Sequence, residues 1–284
     1  MKLLAESSSK NISYYDSIDG IILPLEGYSV ESTNYFTIDE IEDIVKNKKC
    51  EVFVKLNKNF FNDDIEPLKV ILKKLDELKV SGIFFYDLGV LQLHKELNLS
   101  VPLIWNQTHM VNNYRTCDYY YEKGVKYALL GKEITLEEII EIIKKSKITS
   151  MVEVVSKPSV AFSYRKLVTN YYKNLGKNGT NKLTVKEKVT NTNYDLFEDS
   201  NGTSFFMDVI TNGTGIIKDL YDAGCKYIIM REDGVSSFDE LLSDTKKYIE
   251  SGCNDSNYVS KYKRLGDSTN FFFKKTIYKV KKNG

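Results

Sequence analysis

The stretch richest in groups that can do chemistry runs from Pro102 to Tyr114. A short apolar run, Leu103-Ile104-Trp105, passes directly into Asn106-Gln107-Thr108-His109 and then Asn112-Asn113-Tyr114. It holds the only tryptophan of the chain and one of its two histidines. An imidazole moves protons near neutral pH, and side-chain amides orient a carbonyl or the edge of a base. His109 and Gln107 are therefore candidate catalytic groups, with Asn113 as a ligand contact. An apolar strand ending in such groups is what a parallel strand looks like where its C-terminal end opens into a pocket, and barrel folds keep their chemistry at that end. The alternative for His109 is a strand-end cap bonded to a neighbouring loop. His94, within Leu91-Gln92-Leu93-His94-Lys95-Glu96, reads as a plain helix residue.

Other apolar runs end in ionisable groups. Glu6, Lys55, Asn57, Asp87, Glu133 and Glu153 all lie at or near such ends. Gathered round one cavity, they can bind a polar ligand, hold a cation or supply an acid–base pair. Glu153 joins the catalytic candidates; Lys55, Asn57, Asp87 and Glu133 join the ligand contacts. The alternative is a buried ionic network closing the top of a barrel. Carboxylates without histidine partners suit Mg²⁺ or Ca²⁺ better than zinc, but no spacing marks a site and no metal is assigned. Tyr164-Arg165-Lys166 stands at a helix start and offers cations to a carboxylate or phosphate, the arginine bidentately. Nucleophilic catalysis finds little support, because Ser156, Ser163 and Cys117 have no motif around them.

The elements that must hold these residues alternate from the first residue onward. Strands are expected at Leu3–Ala5, Gly20–Leu25, Glu51–Asn57, Gly82–Tyr86, Leu103–Trp105, Tyr127–Leu130, Ile148–Val155 and Cys225–Met230. Helical spacing of apolar residues separates them, with capping boxes at Thr37/Glu40 and Thr135/Glu138. Between the seventh and eighth strands the alternation breaks into strand-like pieces at Leu183–Lys188, Tyr194–Glu198 and Ser204–Val209, with Asn201-Gly202 as a hairpin turn. The expectation is an α/β chain: a (β/α)8 TIM-like barrel with a small β-hairpin insertion between strands 7 and 8. Its bounds are a barrel over 1–255, an insertion at about 176–212 and a basic, aromatic tail at 256–284 that packs on the barrel. An open doubly wound sheet is the alternative, but no Gly-rich phosphate loop follows the first strand.

The 284 residues are 42% hydrophobic and 28% charged, with a net charge of +1. That is the composition of a soluble globular protein, and it gives no global field for nucleic acid. No apolar run reaches the roughly 18 residues of a membrane span, so no membrane partner is expected. Four scattered cysteines, without Cys-x-x-Cys, suit a reducing cytoplasm. The abundance of Lys, Asn, Ile and Tyr is what an AT-rich bacterial genome encodes.

The order of several stretches resembles the collagenase-like peptidase family U32 in its short bacterial form. They are Val54-Lys55-Leu56-Asn57-Lys58, Pro102 to His109, Glu133 to Ile139, Tyr164-Arg165-Lys166-Leu167, Glu198 to Thr203 and Lys275 to Val280. The resemblance implies a barrel-like domain and leaves two activities open. One is a hydrolase of undefined catalytic type acting on collagen-like peptides. The other is an enzyme of the RNA-hydroxylation type, since relatives hydroxylate the tRNA wobble uridine, with prephenate implicated, as well as ribosomal RNA and ubiquinone precursors. A non-catalytic paralogue that binds a ligand or partner is a third reading. Implied partners are tRNA, a small carboxylate such as prephenate, and a second U32 subunit or a second copy of the chain. Longer members hold an iron–sulfur cluster on cysteines near the segment matching Lys157 to Val168. Here Ala161 and Val168 stand about where cysteines are expected, so no cluster is expected and the cofactor stays unassigned.

Overall fold

The computed structural model describes residues 1–12, 17–47, 49–107, 109–265 and 272. Thr108 and most of the basic tail, including the stretch Lys275 to Val280, lie outside the described residues.

Eight parallel strands close on themselves. They are β1 (Lys2–Glu6), β2 (Gly20–Pro24), β3 (Glu51–Leu56), β4 (Gly82–Phe85), β5 (Leu103–Trp105), β6 (Tyr127–Leu129), β7 (Thr149–Ser156) and, after the insertion, β13 (Tyr227–Arg231). Each pairs with its neighbour; β6 meets β7 and β13 meets β1, so no edge is left. Helices α1 (Ile38–Asn47), α2 (Ile65–Glu77), α3 (Leu88–Glu96), α4 (Tyr114–Glu122) and α5 (Leu136–Lys145) separate the first strands. The fold is a (β/α)8 barrel.

The sequence makes this barrel through two apolar layers. The strands are buried on both faces, so they read as nearly continuous apolar runs; all five residues of β2 are buried. Inside, each strand contributes one residue to a ring: Leu4, Ile22, Phe53, Phe84, Ile104, Leu129, Met151 and Ile229. Below the ring, Gly20 and Gly82 admit the neighbouring bulk. A Cβ on Gly82 would lie 2.5 Å from Cδ1 of Ile104. Tyr127 and Tyr227 fill the same end edge to face, their centroids 6.1 Å apart, and Lys2 pairs with Glu51 at 2.8 Å. Outside, the strands meet helix faces such as Leu68, Leu72 and Leu75 of α2. Both expected capping boxes form. Thr37 accepts from the Glu40 N–H and Thr135 from that of Glu138, each at 3.3 Å, while the glutamates accept in return.

The insertion is larger than a hairpin. It holds α6 (Leu167–Asn174) and a four-stranded antiparallel sheet ordered β8 (Ser159–Ser163), β11 (Thr203–Met207), β10 (Asn193–Glu198), β9 (Lys182–Lys186). The turn between β10 and β11 carries Gly202 at φ +149°, where a Cβ would meet the Ser163 carbonyl at 2.1 Å. Glu198 ties the sheet to α6 by accepting from the N–H groups of Val168 (2.8 Å) and Thr169 (3.1 Å). A short β12 (Thr211–Asn212) then pairs with β7, and α7 (Ile217–Asp222) leads to β13. Helices α8 (Phe238–Glu250) and α9 (Ser256–Tyr262) finish the described part, and Phe272 is buried against the core. Among the described residues no helix is long and apolar enough to cross a membrane.

Candidate functional site

Strand parity decides which polar residues enter the barrel. Successive residues point to opposite faces, so the residues two beyond the inner ring also point inward. These are Glu6 beyond Leu4, Lys55 beyond Phe53, Tyr86 beyond Phe84, Asn106 beyond Ile104, Glu153 beyond Met151 and Arg231 beyond Ile229. All six line an inner pocket at the C-terminal ends of the strands, together with Glu31, Asn57 and Lys132. Its cavity volume is about 30 Å³. That admits a water molecule or the polar end of a ligand.

The charges are paired across the barrel. Glu6 accepts from Lys55 Nζ at 3.1 Å through both oxygens, from Ser32 Oγ at 2.8 Å, and lies 3.2 Å from Arg231. Burial alone would raise the Glu6 carboxyl; Arg231 and Lys55 outweigh it and hold the carboxyl below its ordinary range. Burial pulls the Lys55 ammonium down, and Arg231 pushes the same way against the attraction of Glu6. Glu153 pairs with Lys132 at 2.7 Å. Against burial, Lys132 and Arg231 bring its carboxyl down to about 2. Arg231 also reaches Asp233 at 3.3 Å.

Of the buried polar atoms lining this pocket, Oδ1 of Asn106 and Nε of Arg231 have neither a hydrogen bond nor an ion pair, whereas Oε1 of Glu153 has its ion pair with Lys132. Asn106 is 5% exposed and Arg231 2%. A buried carbonyl or guanidinium N–H without a hydrogen bond costs about 1–3 kcal/mol, and such groups in native proteins call for an explanation. One is an acceptor and the other a donor. A ligand group that both donates and accepts, such as a hydroxyl, or a carbonyl beside an N–H, satisfies both.

The loop from Leu25 to Thr37 straps over this floor. Asn57 clamps Val30 with both amide atoms at 3.0 Å, and Ser29 donates to the Lys55 carbonyl. Glu31 sits at φ +58°, a left-handed conformation that costs a non-glycine residue of order 1 kcal/mol. It is held there from two sides: its carbonyl accepts from Arg231 at 2.8 Å, and its N–H donates to Ser204 of the inserted sheet at 3.2 Å.

An outer pocket of about 320 Å³ opens above, between this loop and the inserted sheet. Glu31, Asn57, Tyr86 and Lys132 line both pockets, so the two form one cleft. Val160, Phe162 and Tyr164 wall the outer part, and His109, Glu133 and Asn59 contribute polar groups. Tyr164 packs edge-on against Phe61 (5.4 Å between centroids) and Phe162 (5.0 Å). Burial raises the Tyr164 phenol, which stays protonated near neutral pH.

The structure thus brings together Lys55, Asn57, Glu153, Glu133, His109 and Tyr164 around one cleft. The remaining sequence-derived candidates have other engagements. Gln107 has the opposite parity from Asn106; it accepts from the Trp105 indole at 3.0 Å and donates to the Tyr86 carbonyl at 2.5 Å. Asp87 caps α3 through Gly89 N–H (2.7 Å) and holds Phe60 N–H (2.9 Å). Asn113 caps α4 through Thr116 N–H at 2.9 Å. Arg165 and Lys166 lie just past Tyr164, at the start of α6, and neither lines the cleft. Asn106, Arg231, Lys132 and Tyr86 were not singled out from the sequence. Counting two residues on from Ile104, Ile229 and Phe84 finds three of the four.

The profile of peptidase family U32 matches residues 10–235. The chain is 26% identical over 260 residues to the tRNA hydroxylation protein P2 of Bacillus subtilis, covering 83% of this chain and 84% of that one. It is 23% identical over 164 residues to the tRNA hydroxylation protein P1 of the same organism, covering 56% of this chain and 39% of that one. Its backbone is similar to that of thiamine phosphate pyrophosphorylase from Pyrococcus furiosus, at a TM-score of 0.48 and 10% identity over 88% of this chain and 96% of that one.

Proposed function

The chain belongs to peptidase family U32, and from that premise we propose that it takes part in hydroxylating tRNA, giving 5-hydroxyuridine, with a small carboxylate ligand such as prephenate bound in the cleft. The observation that carries the ligand is the unpartnered pair Asn106 Oδ1 and Arg231 Nε at the floor of a layer of ion-paired charges. A carboxylate or carbonyl oxygen on Arg231 and a hydroxyl on Asn106 complete both groups. The similarity to the two B. subtilis tRNA hydroxylation proteins supports the choice of RNA as the other substrate.

In this reading the chain's own residues bind and orient. Glu6 and Glu153 fix Lys55, Arg231 and Lys132 by charge, so the donor geometry is set before the ligand arrives. Asn57 and Glu31 hold the strap closed on one side. His109, at the outer rim, is the group placed to carry a proton between the cleft and water. No step is routed through an iron–sulfur cluster, because none of the four cysteines lines the cleft and three are buried elsewhere. A Ser-His or Cys-His peptidase site needs a histidine beside its nucleophile; His94 is spent on the Val101 carbonyl, 2.7 Å away.

Isothermal titration of the purified protein with prephenate and with simpler hydroxycarboxylates tests the ligand. The expected result is saturable binding that Arg231→Lys weakens at least tenfold, since lysine has no Nε–H at that position. No heat with any hydroxycarboxylate, from protein that unfolds cooperatively, would overturn the ligand assignment.

A further inference from the structure

The cleft lies beside a segment whose charge is unlike the rest of the chain. From Lys157 to Lys188 there are eight lysines and arginines and one acid, Glu187, a net +7, in a chain whose total is +1. Lys157 is neutralised by Asp195. The other seven are Arg165, Lys166, Lys173, Lys177, Lys182, Lys186 and Lys188; among the described residues they have no carboxylate partner, and all but the half-buried Lys166 are exposed. Several lysines elsewhere on the surface are paired, as in Lys2–Glu51, Lys46–Glu42, Lys145–Glu141 and Lys261–Glu240. Four acids follow in the insertion, and none is paired with these seven cations: Asp195 is spent on Lys157, Glu198 caps α6, Asp199 accepts from the Asn201 and Gly202 N–H groups, and Asp208 accepts from the Asn193 amide.

One end of the patch adjoins the mouth of the cleft. Tyr164 lines the outer pocket, and Arg165 follows it in the chain. Lys182 and Lys186 share one face of β9 by parity, at the edge of the sheet opposite β8. Four strands spaced about 4.8 Å apart put that edge about 14 Å from β8. Where the patch meets the cleft, two large aromatic rings stand in water: Phe61 is 60% exposed and Tyr164 44%. They pack edge to face, and both leave ring surface exposed to solvent.

We propose that this inserted module is the RNA-docking surface. The α6–β9 cations take backbone phosphates, and the Phe61–Tyr164 pair stacks the base that enters the cleft. The proposal rests on the tRNA reading above and adds to it the place and mode of binding. A basic stripe next to exposed aromatic rings is how single-stranded nucleic acid is held without a sequence code. It also suits a target uridine taken out of a loop, since its base has to reach past the rim to the polar floor.

The test is fluorescence anisotropy of a labelled, unmodified anticodon stem-loop RNA, at a series of salt concentrations, with the full chain. Lys173→Glu/Lys177→Glu/Lys186→Glu changes only exposed side chains. It should lower affinity more than tenfold and flatten the slope of log K against log salt by about 2, since each phosphate contact contributes roughly 0.7–0.9. Phe61→Ala/Tyr164→Ala should lower affinity about tenfold with the salt slope unchanged, as loss of stacking does. A wild-type protein that binds this RNA, with a charge variant of equal affinity and slope, would overturn the docking surface and leave the tRNA reading standing. Equally tight binding of acidic lipid vesicles or an acidic peptide, indifferent to the aromatic pair, would assign the patch to that partner instead. Absence of any RNA binding would overturn the proposal too; the tRNA reading is then judged separately, by the nucleosides of the cell.

Discussion

Replacing Asn106 by leucine separates a residue that holds a ligand from one that holds the fold. The Asn106 side chain is 5% exposed and its Oδ1 has no partner. Its backbone N–H bonds the Phe85 carbonyl at 2.9 Å and is untouched by the substitution. A buried unpartnered carbonyl costs about 1–3 kcal/mol. The adjoining cavity of about 30 Å³ has room for one water, which puts the cost at the lower end. Leucine is close in volume and stands directly above the apolar ring that contains Ile104 and Leu129. Asn106→Leu should therefore stabilise the protein by about 1 kcal/mol, or roughly 2–4 °C in Tm for a chain of this size. At the same time it should abolish hydroxycarboxylate binding. Urea unfolding at equilibrium reads the first and calorimetry the second. Loss of more than about 1 kcal/mol of stability would mean that the amide is a strut, and unchanged ligand affinity would mean that it faces no ligand.

The ionic layer makes further predictions. Glu6→Gln leaves Lys55 and Arg231 buried beside a neutral amide and should cost about 3–5 kcal/mol; adding Lys55→Met should recover part of it, a coupling that a double-mutant cycle measures. The Glu153 carboxyl lies well below its unfolded value, so its stabilisation is complete above pH 4.5 and is lost as pH falls toward about 2. Comparing urea midpoints at pH 5 and pH 3, Glu153→Gln should shrink the acid-side loss; an identical loss would remove Glu153 from the account. Gly202→Ala places a Cβ 2.1 Å from the Ser163 carbonyl at φ +149° and should cost at least 1–3 kcal/mol, seen as a lower Tm. Thr135→Ala removes the α5 cap and should cost about 0.5–2 kcal/mol by urea unfolding.

The barrel was legible because each of its strands is a short apolar run bounded by turn and cap signals. Thr37, Thr135 and the Asn201-Gly202 turn announced themselves by local chemistry alone. Strand β8 did not. Ser159-Val160-Ala161-Phe162-Ser163 is short, partly exposed and flanked by serines. It is a strand because β11, some forty residues later, pairs with it. The site was legible to the level of strand ends but not to the level of faces. Asp87 and Gln107 sit one residue past Tyr86 and Asn106, and that single step turns them from the cavity to the helices. The sequence marks an ionisable residue near a strand end clearly; the inward parity shows only once an inner ring such as Phe84 and Ile104 is known. Arg231 was hidden differently, since the eighth strand was expected to end at Met230, one residue short of it.

The most direct measurement is mass spectrometry of tRNA nucleosides from cells that lack this gene and any related one, complemented with the wild-type gene or with Asn106→Leu. The account predicts that 5-hydroxyuridine and its derivatives disappear on deletion, return with the wild-type gene, and do not return with Asn106→Leu at equal protein level. A nucleoside profile unchanged by deletion, or restored in full by Asn106→Leu, would contradict it.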